Sequence, residues 1–354
     1  MNSLLIYNSV ILSPFLLLLS KQKGGKNIDN ILLCTVTIYV IAISAIRYHV
    51  GTDFPSYEEI FLDPESHDRI EIGFIGLIKI LKLFSDDPQI LFLVTSMIIY
   101  YPIVKLYKTY ESVAFIICWF LIFYFPSLNQ IRQVIAITIL TYSIKHINNF
   151  KSYILLILVA SSFHITGFIG ILFILLRKIY IRYIFILMLI SPLFIYVHIT
   201  NILANLPIIR DSYYIFYLID ENIYAGSQTL SFGGIFRLVI PFLFVYIYRI
   251  NKSPHIILIK NALLIYTILY FLSINFYILY RVYSIFQIFI PIACIYLIKD
   301  KKYKLLVYLY IIILIIIFQK NIFEQSISSV IGNSIYPYQT IFTENPETIN
   351  KINY

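Results

Sequence analysis

Long runs of consecutive apolar residues, separated by short polar islands, recur along the 354-residue chain. Runs able to cross about 30 Å of hydrocarbon as helices, some short or tilted, lie at 3–20, 31–46, 90–107, 112–128, 131–147, 179–199, 233–249, 256–275, 278–298 and 303–318. Two further stretches are ambiguous: 72–84 is short and carries Lys79 and Lys82, and 153–176 is long but interrupted by His164, Thr166 and Gly167. The pattern predicts an all-α, polytopic integral membrane bundle of about 10–12 transmembrane helices, with re-entrant or interfacial segments where the runs are short or broken. No repeat at a fixed period and no soluble domain boundary is visible. The expectation is one transmembrane domain over 1–318 and a polar tail over 319–354, punctuated by Gly332, Pro337 and Pro346, packing on the outer face.

Orientation follows from lysine and arginine, which collect in cytoplasmic loops. Lys21, Lys23 and Lys26 mark the first loop as cytoplasmic. Lys145 with Lys151, Arg177 with Lys178 and Arg182, Arg249 with Lys252, and the lysines of 299–304 mark later ones. Between 47 and 71 stand seven acidic residues (Asp53, Glu58, Glu59, Asp63, Glu65, Asp68, Glu71) against Arg47 and Arg69, so this loop is expected outside, as is 200–232. The pattern closes if 72–84 is interfacial or re-entrant and 153–176 is a bent re-entrant pair, which puts both termini outside. If both segments span, there are twelve crossings, but Lys105, Lys108, Lys145 and Lys151 move to the outer side. The first run lacks a basic leader and a small-residue cleavage site and reads as a retained span.

Composition excludes a soluble globule: 60% of residues are hydrophobic and 13% charged, against roughly a quarter charged in soluble domains, and the mean hydropathy is +0.84. The net charge of +9 reflects topology and not a nucleic-acid partner, because the lysines sit in short clusters between apolar runs. Cys34, Cys118 and Cys294 fall inside apolar runs, with neither disulfide nor zinc spacing. No metal and no cofactor is expected.

Three islands carry the candidate chemistry, since an ionisable group in or beside hydrocarbon is costly. They are Arg47-Tyr-His-Val-Gly-Thr-Asp53-Phe-Pro-Ser-Tyr57, Asn129-Gln-Ile-Arg132-Gln133 and Ser161-Ser-Phe-His164-Ile-Thr166. With EIGF at 71–74, a late Arg281 followed by Pro291, and YPYQ at 336–339, the ordered series resembles the EpsG family over nearly the whole chain. These are multi-spanning bacterial proteins grouped with Wzy-like polysaccharide polymerases.

The resemblance implies polymerisation of O-antigen, capsule or exopolysaccharide repeat units at the extracytoplasmic side of the bacterial inner membrane. The growing glycan leaves undecaprenyl diphosphate and is transferred to a hydroxyl of an incoming lipid-linked unit. It also implies, by analogy, a GT-C-like helical fold. The partners are then the undecaprenyl-diphosphate-linked oligosaccharide, the lipid bilayer and a chain-length regulator.

Such a transfer needs positive charge on the departing diphosphate and a base for the incoming hydroxyl. Arg47, Arg132 and Arg281, each at the outer end of an expected span, suit the diphosphate, because a guanidinium binds phosphate oxygens bidentately and keeps its charge. Snorkelling at a helix end is the structural alternative. His164 is a candidate base or hydrogen-bond donor, with Thr166 and the serines making a polar face around it. Asp53 and Glu71 could each take the acceptor proton or fix an arginine. Asn129, Gln133, Tyr57 and Thr166 are supporting residues. A membrane acyltransferase would also use a histidine but calls for a cytoplasmic donor path; a transporter or flippase calls for related halves and midplane charges, which are not evident.

Overall fold

A computed structural model describes residues 3–18, 26–66, 70–106, 110–197, 230, 232–276, 278–327 and 335–342. Asp68, Arg69 and most of the expected outer loop over 200–232 lie outside these residues. The described residues are helical, with no strand, and divide into two compact units: Met1–Phe168 with Ile315–Tyr354, and Ile169–Leu314.

The first unit contains α1 (Ser3–Leu12), α2 (Lys26–Ala45), α3 (Phe54–Leu62), α4 (Ile72–Leu81), α5 (Gln89–Val104), α6 (Tyr110–Asn129), α7 (Ile131–Ser143) and α8 (Phe150–Phe163). The second contains α9 (Gly170–Leu176), α10 (Ile184–Ile190), α11 (Phe232–Arg237), α12 (Val239–Ile247), α13 (Pro254–Leu272), α14 (Leu279–Phe286) and α15 (Phe289–Lys299). The last helix, α16 (Lys304–Ile327), begins in the second unit and ends in the first.

Among the described residues, five segments are long and apolar enough to cross a membrane: Ile28–Ala45, Glu111–Asn129, Pro254–Leu272, Leu279–Lys299 and Lys304–Gln325. The other expected spans are shorter helices or pairs. The run 179–199 yields α10 followed by a 3-10 turn over Ser191–Tyr196, and 233–249 is divided at Leu238, where Gly233, Gly234 and Pro241 weaken the helix. In the first unit α6 is the central helix, with 89% of its apolar stretch buried, whereas α2 has 22% and leaves an apolar face for lipid.

Polar residues break the helices of the first unit where the apolar runs are interrupted. Between α6 and α7 only Gln130 leaves helical geometry (φ −93°, ψ 56°), and the bonds Gln130 N–H to Pro126 O (2.7 Å) and Val134 N–H to Gln130 O (2.9 Å) carry the chain across. The run 153–176 breaks at His164, which is extended (φ −159°, ψ 132°) before a 3-10 turn over Ile165–Ile169. At about 1.5 Å per residue, the 14 residues of α8 extend about 21 Å, short of the hydrocarbon thickness.

The tail differs from the expected boundary. α16 continues through Ile327 instead of ending near 318, supported on its polar side by a Lys320–Glu324 ion pair one turn apart (3.2 Å). Residues 335–342 then return to the beginning of the first unit. Tyr338 N–H donates to Ser3 Oγ (2.8 Å), Tyr48 N–H to Gln339 O (3.0 Å) and Ile341 N–H to Ile46 O (3.1 Å), forming an isolated antiparallel bridge between Arg47 and Thr340. The Tyr338 hydroxyl donates to Ile43 O, and its ring meets Tyr7 edge to face at 5.5 Å. Burial pushes the Tyr338 phenol above its usual range, so it remains a neutral donor. Tyr338→Phe should therefore cost about 1–2 kcal/mol, read as a lower Tm in detergent and faster proteolysis of the C-terminal segment.

Candidate functional site

The first unit brings the second and third islands together around Glu71. This residue precedes α4 in extended geometry (φ −61°, ψ 141°), and its carboxylate makes no capping bond to that helix. One oxygen, Oε2, accepts from Arg132 Nη1 in the first turn of α7; the other, Oε1, accepts the backbone N–H of Ile165 at 3.2 Å. A single carboxylate thus ties α4, α7 and the break after α8. The Arg132 and Glu71 side chains are 25% and 19% exposed, so the pair is partly dry yet reachable from outside the protein.

Close packing of α4 on the end of α8 makes this possible. A Cβ on Gly73 would lie 2.6 Å from the Ser162 carbonyl oxygen, whereas one on Gly76, a turn further along the same helix, would meet nothing within 4 Å. The glycine of EIGF therefore serves a close approach that places Glu71 under Ile165.

His164 stands at the same break and is half-buried. Its Nδ1 lies 2.7 Å from Thr166 Oγ1 and accepts the Thr166 backbone N–H at 3.3 Å. An accepting Nδ1 assigns the proton of the neutral ring to Nε2, making Nε2–H a donor.

The first island joins through its glycine loop. Gly51 has φ +107°, a conformation side chains disfavour, and a Cβ there would stand 2.5 Å from Leu128 O. That approach lets Asn129 Oδ1 accept from Thr52 N–H (2.6 Å) and Thr52 Oγ1 (3.0 Å), fixing the loop on the end of α6. Thr52 Oγ1 also reaches Asp53 Oδ1 at 3.2 Å. Tyr57, on α3, accepts the Arg132 backbone N–H at 3.5 Å and is 5% exposed. Burial raises its phenol, Arg132 opposes this and Asp53 adds to it, which leaves a neutral hydroxyl between cation and carboxylate. Gln133 is buried on α7 beside Arg132.

Arg47 takes another place. It is 3% exposed, its guanidinium lies over the Phe92 ring (5.1 Å to the centroid), and Phe92 stacks on Phe54 at 4.2 Å. The tyrosines acting on its charge are Tyr100, Tyr124, Tyr338 and Tyr7. Desolvation lowers its pKa and these phenols oppose the shift. Gln89 Nε2 bonds the Arg47 carbonyl (3.1 Å), and the tail bridge covers the backbone. Arg281 belongs to the second unit, half-buried on α14, where its carbonyl accepts from Ser284 Oγ at 3.0 Å.

The sequence reading named Arg132, Glu71, His164, Asp53, Asn129 and Tyr57, but it did not single out the Ile165 amide, a backbone donor carrying no side-chain signature. The role of Gly73 was present only as one letter of EIGF.

This is an integral membrane protein, all-helical over its described residues, with a polar site built where its apolar helices break. The chain belongs to the EpsG family, which matches residues 30–340. Membership points to a polysaccharide polymerase-like, glycosyltransferase-like function on lipid-linked substrates. No curated protein and no solved structure shows a significant match.

The two glycines of α4 provide a matched test of the packing. Gly73→Ala should destabilise by about 1–3 kcal/mol through overpacking. Gly76→Ala should be neutral or stabilising by up to about 1 kcal/mol through helix propensity. Tm values of both variants in detergent check the difference.

Proposed function

We infer that the protein polymerises polysaccharide repeat units, transferring a glycan from undecaprenyl diphosphate to a hydroxyl of an incoming lipid-linked unit on the extracytoplasmic side of the bacterial inner membrane. The observation that carries this reading is the partly exposed Arg132 guanidinium held by Glu71 against the Ile165 amide, one residue from His164. Family membership over most of the chain supplies the reaction class.

In this mechanism Arg132 meets the diphosphate oxygens as the bond from the anomeric carbon to the diphosphate breaks and the electron pair leaves with the phosphate. Glu71 has both oxygens engaged, so it orients Arg132 and does not take the proton. His164 donates from Nε2 to a diphosphate or sugar oxygen. Asp53, held at the glycine loop by Thr52, takes the proton as the acceptor hydroxyl bonds to the anomeric carbon. Asn129, Tyr57, Thr166 and Gln133 position these groups. Arg47, sealed under Phe92 and the tyrosines, supports the loop in this conformation, and Arg281 is the second unit's candidate phosphate ligand.

A strain carrying Arg132→Ala or His164→Ala in place of the wild type should build lipid-linked single repeat units but lose long chains by about 10²–10³-fold, at unchanged protein level. Arg132→Lys should remain strongly impaired, because an ammonium cannot reproduce the two-pronged contact. Gel analysis of glycan length checks both, and normal chain length in the alanine variants would remove the assignment. Accumulation of units on the cytoplasmic leaflet would instead indicate a flippase.

A further inference from the structure

The second unit holds a cavity that the polymerisation site does not use. It has a volume of about 350 Å³, lined by Tyr180, Arg182 and Tyr183 from the α9–α10 connection, by Ile186 on α10 and by Arg249 and Ile250 after α12. That volume lies in the range of small-ligand sites.

Two consecutive polar residues buried in α13 build it. Lys260, 1% exposed, donates from Nζ to Arg249 O (3.3 Å) and Asn251 O (2.8 Å), holding the α12–α13 connection. Asn261, 2% exposed, donates from Nδ2 to Leu176 O and Ile179 O, each at 2.7 Å, holding the α9–α10 connection. The Tyr180 ring lies between the two loops, with Lys252 Nζ at 5.4 Å and Lys260 Nζ at 5.3 Å from its centroid. Arg182 lies over Tyr183 (5.4 Å) and Arg249 over Tyr246 (4.6 Å).

Two arginines, Arg182 and Arg249, therefore line one cavity, with Lys252 and Lys260 against the Tyr180 ring at its edge, and no carboxylate lines the cavity among the described residues. In the second unit Asp300 is the one acidic described residue, and its Oδ1 accepts from the Lys302 amide. Two guanidinium groups lining one cavity, with no carboxylate among its described lining, suit a phosphate-like anion. The adjoining surface is apolar: Ile186, Tyr183 and Ile250 are 55%, 59% and 74% exposed. An anion with acyl chains satisfies both the charge and that surface, and arginine–tyrosine loops at the ends of apolar helices belong at the headgroup level.

We propose that this cavity binds the phosphate headgroup of an anionic membrane lipid, with Arg182 and Arg249 on the phosphate and the acyl chains along Ile186 and Ile250. The site is independent of the polymerisation reading.

The test uses the full chain in a neutral detergent, with dioleoylphosphatidylglycerol or dioleoylphosphatidylcholine added and bound lipid counted by native mass spectrometry. The wild type should retain the anionic lipid preferentially. R182Q should weaken that retention about five-fold and R182Q/R249Q about 20-fold, while K301Q/K302Q, which removes two exposed lysines of another loop, should leave it unchanged. Equal retention of both lipids by the wild type would overturn the proposal. So would wild-type retention by both R182Q and the double variant, or an equal loss in K301Q/K302Q, which would mean diffuse charge. Displacement of the lipid by millimolar inorganic phosphate would reassign the cavity to free phosphate.

Discussion

A guanidinium set at the start of an apolar helix must find opposite charge or water, and in the first unit Arg132 finds Glu71. The pair constrains far more than two residues. Because Glu71 also accepts the Ile165 amide, the same carboxylate satisfies a backbone donor released where α8 ends. Three segments distant in sequence are joined by charge-assisted bonds, which are short and directional. The close approach of Gly73 to Ser162 and this ion pair together hold the three segments in place.

Arg47 and Arg132 show two solutions to the same electrostatic problem. Arg132 keeps a quarter of its side chain exposed and a carboxylate beside it, an arrangement able to exchange partners with an incoming anion. Arg47 is enclosed by aromatic faces and phenols and covered by the returning tail. Its charge is spread over ring quadrupoles and hydroxyl dipoles, a diffuse environment that holds the 47–53 segment in place. From there the Gly51 turn delivers Thr52 and Asp53 to Asn129.

The second unit uses cations differently. Lys260 and Asn261 lie within the apolar helix α13, where unsatisfied polar groups are expensive, and each is satisfied by carbonyls of a loop. Their bonds organise two interfacial connections, whose Arg182 and Arg249 line one cavity. Basic residues that serve topology in the sequence thereby also shape a cavity.

Much of this was legible in the chain. Hydrophobic run length reports the cost of placing polar backbone in lipid, a local property, so the membrane class, most helix positions and the break at His164 follow from it. The ordered islands carried the family. The helix limits were less accurate: α16 outlasts its apolar run, with an exposed ion pair one turn apart in its last stretch, and 233–249 is divided where Gly233, Gly234 and Pro241 weaken the helix, a local effect that hydropathy overlooks. The partners could not be read. Glu71 and Arg132 are 61 residues apart, the amide of Ile165 has no side-chain identity, and the clearance at Gly73 exists only against Ser162. By itself the sequence determined which residues had to leave the hydrocarbon or be paired within it, since that penalty belongs to each side chain. Only the tertiary structure decided which arginine is sealed and which is left reachable, because that depends on segments remote in the chain arriving at the same few ångströms.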